Sequence, residues 1–175
     1  MKILITGKNG YIGSSLISKL DSTIGIGRDD FDLTDRESTN NFFRDKYFDV
    51  IIHTAICGGS RLKKDGNDTL ANNLKMFYNL MANAHKFGQL INLGSGAELN
   101  WPSDPYGLSK SIIWDIVSSH SKLNNIRIFG VFDENELDTR FIKTCLNNYK
   151  TRKPIVIHQN KLFDFIYMDD LVTIV

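Results

Sequence analysis

The sequence predicts an α/β fold built on a doubly wound parallel sheet. Two observations indicate this fold. Short apolar runs alternate along the chain with longer segments of helical spacing, and a glycine-rich turn joins the first apolar run to the first helical segment. The chain has 175 residues and is 42% hydrophobic. That length favours one domain, or one domain and part of a second, with a proper hydrophobic core.

The apolar runs and the segments between them give the order of the elements. Strands are predicted at residues 3–5, 24–26, 50–53, 90–93 and 126–129. A first helix follows the glycine-rich turn, Asp35 is a candidate N-cap for the second, and residues 70–87 are predicted as a long third helix. After a turn-rich stretch at 100–105, a fourth helix is predicted over residues 106–117.

Beyond residue 130 the alternation of strands and helices weakens. The pattern predicts a helix over 139–149, strands at 155–157 and 162–167, and a last helix that starts near Asp169. The chain ends inside the apolar run 171–175, which is more typical of a truncated chain than of a finished domain. We therefore expect only part of a second lobe after the parallel sheet.

The glycine-rich turn is the first candidate functional element. Gly7, Gly10 and Gly13 have Gly-x-x-Gly-x-x-Gly spacing, which allows a tight turn and close approach to a pyrophosphate at a helix N-terminus. The spacing is one residue longer than the commonest dinucleotide fingerprint, and an ordinary strand–helix turn is the alternative. Its position predicts a Rossmann-like dinucleotide-binding domain over residues 1–131, followed at 132–175 by a partial substrate lobe.

The residues after the second predicted strand bear on the choice between NADP and NAD. A carboxylate there holds the ribose hydroxyls of NAD, whereas a basic residue accommodates the 2′-phosphate of NADP. Arg28 follows the strand, and Asp29 and Asp30 come next. Arg28, with Lys8 of the glycine-rich turn, favours NADP. The alternative is that Arg28 is a solvated loop charge and that Asp29 or Asp30 binds the ribose of NAD.

A second candidate element combines a serine, a tyrosine and a lysine. Tyr106 and Lys110 are four residues apart in the fourth predicted helix, so their side chains lie on one face. A neighbouring ammonium favours the anionic form of a phenol, which makes tyrosine a usable proton-transfer group near neutral pH. Ser95 lies eleven residues before Tyr106. Together with the glycine-rich turn, this set indicates nicotinamide-dependent redox chemistry.

These motifs resemble the extended short-chain dehydrogenase/reductase family of nucleotide-sugar enzymes, the NAD-dependent epimerase/dehydratase family. The match extends over nearly the whole chain. The residues that carry it are Thr6-Gly7-x-x-Gly10-x-x-Gly13, Asp32-Leu33, His53-Thr54-Ala55, Asn73, Leu93-Gly94-Ser95, Tyr106-x-x-x-Lys110 and residues 164–171. Residues 27–35 and Cys57-Gly58-Gly59 look most like the GDP-fucose synthase branch, whose members use NADP.

The resemblance implies a role for each matched residue. Tyr106 would be the general acid/base, Lys110 would lower its pKa and bind the nicotinamide ribose, and Ser95 would hydrogen-bond the reacting oxygen of the sugar. The implied cofactor-binding residues are Gly7, Lys8, Asn9, Gly10, Tyr11, Ile12, Gly13, Arg28, Asp32, Leu33, His53, Thr54, Ala55, Asn73, Tyr106 and Lys110.

Three of these assignments have structural alternatives. Ser95 could merely end a strand, Asp32 could be a turn or helix-entry residue, and Asn73 could be an exposed polar residue of its helix.

The chain departs from the GDP-fucose synthase pattern at residues that matter for the reaction. Ala97 stands where that branch has a cysteine, and Arg140 is the counterpart we assign to its histidine, which argues against double epimerisation. Residues 130–134 replace the family's Asn-x-Tyr-Gly-Pro stretch. Two functions are left: an NADP-dependent reductase, epimerase or dehydratase of a nucleotide-activated sugar, or a non-catalytic dinucleotide-binding module. Within the enzyme class, a carbonyl reductase of the dTDP-rhamnose pathway type is a further possibility, because it needs no cysteine/histidine pair.

Composition restricts the partners and the compartment. The formal net charge of +1 gives no argument for binding to nucleic acid or to an anionic membrane. Cys57 and Cys145 are predicted as buried free thiols, and no metal site is predicted. The apolar run at 3–5 is too short for a signal peptide or a membrane span, so we expect a soluble, cytoplasmic protein.

The resemblance also implies a homodimer. Family members often pair through the two helices beside the active site, here residues 70–87 and 106–120, which join into a four-helix bundle. The apolar side chains of these segments would serve either that face or the domain's own core, and the core is the interpretation we favour; they are Leu74, Phe77, Ile113 and Val117.

Overall fold

A computed structural model describes residues 1–60, 62–100, 104–157, 159–160 and 162–175. The turn-rich stretch predicted at 100–105 lies partly outside these residues. No helix of the described part of the chain is both long enough and apolar enough to cross a membrane.

The centre of the fold is a five-stranded parallel sheet, as the sequence predicts. Its strands lie in the order β2-β1-β3-β4-β5. In chain order they are β1 (Ile3–Thr6), β2 (Thr23–Ile26), β3 (Phe48–His53), β4 (Phe87–Ser95) and β5 (Leu123–Ile128). Thr6 is opposite both Ile26 and His53, and Ser95 is opposite Ile128, so the carboxyl ends of all five strands meet at one edge. Ligands bind at this edge in open α/β sheets.

Helices cover both faces of the sheet and bury its apolar side chains. They are α1 (Tyr11–Lys19), α2 (Arg36–Phe43), α3 (Asp68–Met81), α4 (Pro105–Ser118), α5 (Phe141–Lys150) and α6 (Met168–Ile174). One core cluster joins Phe43 of α2, Phe77 of α3 and Ile113 of α4 to the sheet, and a second cluster on the other face includes Leu16 of α1. This arrangement confirms the doubly wound α/β prediction.

Two helices begin where the sequence supplies a cap. Asp35 accepts hydrogen bonds from the backbone N–H groups of Glu37 and Ser38, which confirms it as the N-cap of α2. At the start of α4, the Asp104 carboxylate accepts the Gly107 N–H at 2.7 Å, and Pro105 occupies the first turn. The cap therefore fixes the start of the helix that carries Tyr106 and Lys110.

The prediction that the third helix continues to residue 87 is wrong. Helix α3 ends at Met81, and Phe87 is already the first residue of β4. The buried Asn83 explains the break, because its side-chain amide donates to Asn40 Oδ1 at 2.8 Å and to the Asn79 carbonyl at 3.0 Å. A side chain that bonds neighbouring polar groups in this way competes with continuation of the helix.

The segment after β5 differs from the sequence prediction in its strands. Residues 155–157 form no strand, and of the predicted strand at 162–167 only β7 (Ile166–Tyr167) is present. It pairs in parallel with β6 (Val131–Phe132), which the pattern did not indicate. Ile155, Val156 and Ile157 are exposed, so their apolar run has no core to bury it.

The apolar side chains of α3 and α4 pack mainly inside the protein. Phe77, Ile113 and Val117 are buried in the core, and Leu74 packs against the same cluster while partly exposed. The core interpretation of these residues is therefore confirmed, and the homodimer stays a prediction. Cys57 and Cys145 are free thiols as expected, but both are half-buried rather than buried.

Candidate active site

The glycine-rich turn lies at the carboxyl edge of the sheet and closes tightly. Gly7 has φ +78°, and a Cβ atom there would lie 2.8 Å from Ala55 N and from Thr54 Oγ1. A Cβ atom at Gly13 would lie 2.2 Å from the Gly7 carbonyl oxygen. Only glycine fits these two positions, because the turn brings its backbone against the end of β3. Helix α1 follows at once, with no side chain among the described residues bonded at its N-cap, Gly10.

A cavity of about 680 Å³ opens from this turn along the edge of the sheet. It is the right size for a small-molecule site. Many of the predicted site residues line it: Gly10, Tyr11, Ile12, Gly13, Thr54, Ser95, Tyr106 and Lys110. Ala97, Phe129, Phe163 and Arg140 line it as well. The structure thus brings the glycine-rich turn and the serine–tyrosine–lysine set to one cavity.

Tyr106 lies at the start of α4, with its ring against the loop that follows β3. A Cβ atom at Gly59, whose φ is +73°, would lie 2.8 Å from two atoms of the ring. Burial raises the pKa of the Tyr106 phenol, while a side-chain hydrogen bond with Ser95 acts in the opposite direction. Desolvation of the phenolate has the larger effect, so the direction is opposite to the lowering that the resemblance implies for Lys110.

Lys110 lies one turn further along α4 and is buried. Its Nζ donates to the Leu93 carbonyl at 2.5 Å and lies 5.9 Å from the centroid of the Tyr106 ring. Burial lowers the pKa of Lys110 to about 8, and the charge of Glu98 partly opposes this. The ammonium form therefore predominates at neutral pH, close to the phenol.

Ser95 is the last residue of β4, and a buried ion pair fixes its backbone. The Glu98 carboxylate accepts the Ser95 N–H at 2.9 Å and pairs with Arg127 Nε at 2.8 Å. The Glu98 side chain is only 1% exposed, and the Arg127 guanidinium lies over the Trp114 ring. The Ser95 hydroxyl in turn accepts the Ala97 N–H at 3.1 Å. The sequence analysis missed Glu98 and Arg127, since only the folded chain brings them together.

The residues assigned to cofactor choice form two separate groups, one around Lys8 and one around Arg28. Lys8 Nζ pairs with Asp29 at 2.8 Å and with Asp30 at 2.7 Å. Asn9 Nδ2 donates to the second oxygen of Asp29 at 2.9 Å. Arg28 turns away from this group and donates to Cys57 Sγ at 3.1 Å. Both carboxylates therefore fold onto the glycine-rich turn, while Arg28 lies toward the end of β3.

Other predicted cofactor residues have structural contacts. His53 is buried with Nδ1 2.8 Å from Thr6 Oγ1, and burial lowers its pKa to about 3, so its ring is neutral. Thr6 also binds the two residues that follow β3: its carbonyl accepts from Thr54 Oγ1, and its hydroxyl accepts the Ala55 N–H. These bonds fix the end of β3 beside the glycine-rich turn.

Asn73 is buried, not exposed, so the alternative considered for it is wrong. Its side chain accepts the Cys57 N–H at 2.8 Å and donates to the Cys57 carbonyl at 3.0 Å and to Ser109 Oγ at 2.9 Å. It thereby ties the loop after β3 to α4. Asp32 accepts both the N–H and the hydroxyl of Thr34, as a turn residue does, and Leu33 is buried in the core. None of these three residues lines the cavity.

The stretch that follows β5 adds aromatic side chains to the cavity and one acidic contact to the glycine-rich turn. The Phe129 ring packs on the backbone beside Ser95, since a Cβ atom at Gly96 would lie 2.4 Å from it. Tyr11 of the glycine-rich turn donates its hydroxyl to Asp133 Oδ1 at 2.7 Å. Asp133 thus joins the stretch that departs from the family pattern to the glycine-rich turn.

The chain is similar in sequence or in fold to several known proteins. CDP-abequose synthase of Yersinia pseudotuberculosis is 23% identical over an alignment of 201 positions, gaps included. The alignment covers 98% of this chain and 71% of that relative. In fold, the chain is similar to a dTDP-4-dehydrorhamnose reductase from Clostridium acetobutylicum, with a TM-score of 0.81 and 22% identity over 99% of this chain and 68% of that one. It is also similar to a GDP-L-fucose synthetase from Naegleria fowleri bound to NADP, with a TM-score of 0.71 and 15% identity over 98% of this chain and 66% of that one.

A family model matches nearly the whole chain. It describes the NAD-dependent epimerase/dehydratase family and covers residues 3–175. The match includes the glycine-rich turn, the serine–tyrosine–lysine set and the segment after β5. It confirms the resemblance that the sequence motifs indicate: the chain belongs to the NAD-dependent epimerase/dehydratase family.

Proposed function

We propose that this protein is an NADP-dependent reductase that acts on a keto group of a nucleotide-activated sugar. The observation that carries the proposal is the shared cavity, in which the glycine-rich turn and the Ser95, Tyr106 and Lys110 side chains face one space. A dinucleotide at the turn would have its reactive end beside a proton donor, as hydride chemistry requires.

The chain's own residues fit a dinucleotide. The N-terminus of α1 faces the cavity through Gly10, Tyr11 and Ile12, and backbone N–H groups at a helix N-terminus favour a pyrophosphate. The tight packing at Gly7 and Gly13 holds the turn against the end of β3, and Gly10, where a Cβ atom would meet only the Gly7 carbonyl oxygen at 3.3 Å, leaves the backbone open to such a ligand. Bound NADPH would supply the hydride. Arg28, at the end of β2, is the residue we assign to its 2′-phosphate.

Tyr106 suits the reductive direction. Because burial raises the pKa of its phenol, the side chain holds its proton at neutral pH and can donate it to a carbonyl oxygen. Lys110 is the cation beside it, and stabilises the negative charge left on the phenol after donation. The Ser95 hydroxyl, fixed at the end of β4, orients the oxygen that receives the proton.

A simple reduction is favoured over epimerisation. Epimerisation of a keto sugar needs a second acid/base pair beside the reacting carbons, and Ala97 and Arg140 line the cavity where we expect that pair. Alanine has no titratable proton, and the arginine guanidinium is not deprotonated in proteins, so neither side chain can act as an acid/base group. The fold neighbours include enzymes named as reductases, dTDP-4-dehydrorhamnose reductase among them. The proposal therefore takes the reductase, not the GDP-fucose synthase, as its model.

The test combines cofactor binding with turnover. Purified protein is titrated with NADPH and then mixed with a panel of 4-keto nucleotide sugars while NADPH oxidation is followed. We expect Tyr106→Phe to lower kcat by about 10²- to 10⁴-fold, the usual contribution of a general acid, and to leave the Kd for NADPH unchanged. Tyr149→Phe, the same change at a tyrosine that is 76% exposed, is the control and should keep full activity.

Two results would contradict the proposal. Retention of activity in Tyr106→Phe would remove this residue from the chemistry. Tight NADPH binding without turnover of any keto sugar would favour the non-catalytic dinucleotide-binding module instead.

A further inference from the structure

Four charged side chains lie beside the end of β2 and point in two directions: Lys8 of the glycine-rich turn, and Arg28, Asp29 and Asp30 of the segment after β2. Lys8 Nζ lies within 2.8 Å of Asp29 Oδ2 and 2.7 Å of Asp30 Oδ2. Arg28 points instead to Cys57 Sγ. Among the described residues, no carboxylate forms an ion pair with Arg28. The acidic side chains are thus held on one side, and the guanidinium is left without an acidic partner.

Further bonds hold the two carboxylates on the glycine-rich turn. Asp29 Oδ1 accepts from Asn9 Nδ2 at 2.9 Å, and Asp30 Oδ2 accepts the Gly27 N–H at 2.8 Å. A Cβ atom at Gly27 would lie 2.8 Å from Asp29 Oδ1 and 3.2 Å from both Asn9 Nδ2 and Lys8 Cγ, so glycine leaves the room that this packing needs. Each carboxylate therefore has two partners besides solvent.

This arrangement bears on cofactor choice, because a free carboxylate after the second strand favours NAD. Such a carboxylate accepts hydrogen bonds from the ribose hydroxyls and repels a 2′-phosphate. Asp29 and Asp30 are in the right part of the sequence for that role, about 20 residues after the glycine-rich turn. In this structure three of their four oxygens already have partners: both of Asp29, with Lys8 and Asn9 of the turn, and Oδ2 of Asp30, with Lys8 and the Gly27 N–H.

We propose that Lys8 is a specificity-determining residue, which selects NADP by holding Asp29 and Asp30 on the glycine-rich turn and leaving Arg28 as the group available to the 2′-phosphate. This inference rests on the proposed function, since it assumes that a dinucleotide binds at the turn. It differs from a direct contact between Lys8 and the phosphate. The two mechanisms predict different behaviour when the aspartates are neutralised.

The experiment measures the Kd of NADPH and of NADH for four proteins by fluorescence titration at one fixed, low ionic strength. They are the wild type, Lys8→Met, the triple variant Lys8→Met/Asp29→Asn/Asp30→Asn, and the control Lys19→Met. Lys19 suits the control because it makes a comparable exposed ion pair, with Asp169 at 2.6 Å, at the far end of α1. Thermal unfolding checks that each variant is folded.

We expect the wild type and Lys19→Met to prefer NADPH equally. Lys8→Met removes the cation that neutralises both carboxylates and leaves each with one neutral partner, so the ratio of the NADH Kd to the NADPH Kd should fall by about tenfold, with NADH binding more tightly than in the wild type. Neutralising both aspartates in the triple variant should restore the preference for NADPH, because no carboxylate is left to repel the phosphate.

Other outcomes overturn the inference. If Lys8→Met weakens NADPH binding alone and the triple variant does not recover it, Lys8 contacts the phosphate directly. If the ratio does not change, or if the wild type prefers NADH, these ion pairs do not set the choice. If the wild type binds neither dinucleotide, the proposed function itself fails, which is a different result from all of these.

Discussion

The two walls of the cavity are built in different ways. Ser95, Tyr106 and Lys110 come from β4 and α4, which pack on a sheet whose strands bury most of their side chains. The opposite wall comes from residues after β5, where the second sheet has only two strands of two residues each. Its aromatic side chains are largely exposed, with Phe129 at 42% and Phe163 at 44%. The serine–tyrosine–lysine set is therefore held by a well-buried scaffold, which we call the rigid wall, and the opposite wall is largely exposed.

The largest effect that tests this contrast is a loss of stability. Phe43, the last residue of α2, is fully buried, whereas Phe141, the first residue of α5, is 43% exposed. We expect Phe43→Ala to lower the free energy of unfolding by about 3–5 kcal/mol, from lost burial and the cavity left behind. Phe141→Ala should cost about 1 kcal/mol or less, because most of what it loses is one partly exposed ring contact. Urea unfolding of both variants gives the two values.

Equal losses for the two phenylalanines would contradict the contrast. They would mean that the segment after β5 is packed as firmly as the parallel sheet. The cavity would then have two rigid walls, and the exposed aromatic side chains would need another explanation.

A smaller effect tests the rigid wall at Tyr106, the proposed proton donor. Gly59 has φ +73°, and a Cβ atom there would lie 2.8 Å from the Tyr106 ring. Gly59→Ala must displace the ring or the loop. We expect kcat to fall about 100-fold, as for a misplacement of about 1 Å at a reacting group, while the chain stays folded. Steady-state kinetics with the keto sugar identified in the turnover screen provides kcat and KM.

Gly66 offers a matched control in the same loop. Nothing lies within 4 Å of a Cβ atom built there. Gly66→Ala should therefore keep the wild-type kcat. If both variants lose activity alike, the loop as a whole matters and the contact between Gly59 and Tyr106 does not.

The contrast between the walls also explains what the sequence could predict of the fold. The central strands β1 and β3 contain continuous apolar runs, Ile3–Ile5 and Val50–Ile52, because the middle of a parallel sheet covered on both faces needs apolar side chains at successive positions. The run Ile155–Ile157 looks the same in sequence, yet it forms no strand. An apolar run becomes a strand only where a neighbouring strand and a core are available, and local pattern does not contain that information.

The candidate site divides in the same way. Tyr106 and Lys110 were predictable because four-residue spacing on a helix fixes their proximity. Glu98 was not, since its partner Arg127 is 29 residues away and reaches it only through the pairing of β4 with β5. Lys8 was read as a phosphate contact, and its ion pairs with Asp29 and Asp30 depend on how the end of β2 folds back.

The smallest predicted effect concerns the charge that the rigid wall buries. Burial lowers the pKa of Lys110 to about 8, below the ordinary value of 10.5 that applies to the unfolded chain. Between these two values the unfolded chain binds more protons than the folded one, so this group's contribution to stability rises with pH across that window. Below pH 8 the fold bears the cost of the buried ammonium. Lys110→Met removes that cost, and we expect it to raise the free energy of unfolding at pH 7 by about 1 kcal/mol.

The sign of the pH dependence separates this explanation from a structural role for Lys110. The stability advantage of Lys110→Met over the wild type should shrink above pH 8 and vanish near pH 10.5, where the wild-type amine is neutral in both states. Lys46→Met is the control, because Lys46 is exposed and also donates to a backbone carbonyl, that of Phe42 at 2.9 Å; it should bring no gain in stability at pH 7. A variant that is less stable at pH 7, by an amount constant up to pH 10.5, would mean that the bond to the Leu93 carbonyl outweighs the buried charge. If Lys110→Met instead gains stability while the protein loses activity, the buried ammonium is a cost to folding that the proposed chemistry requires. That relation is expected where a site is built for chemistry rather than for folding.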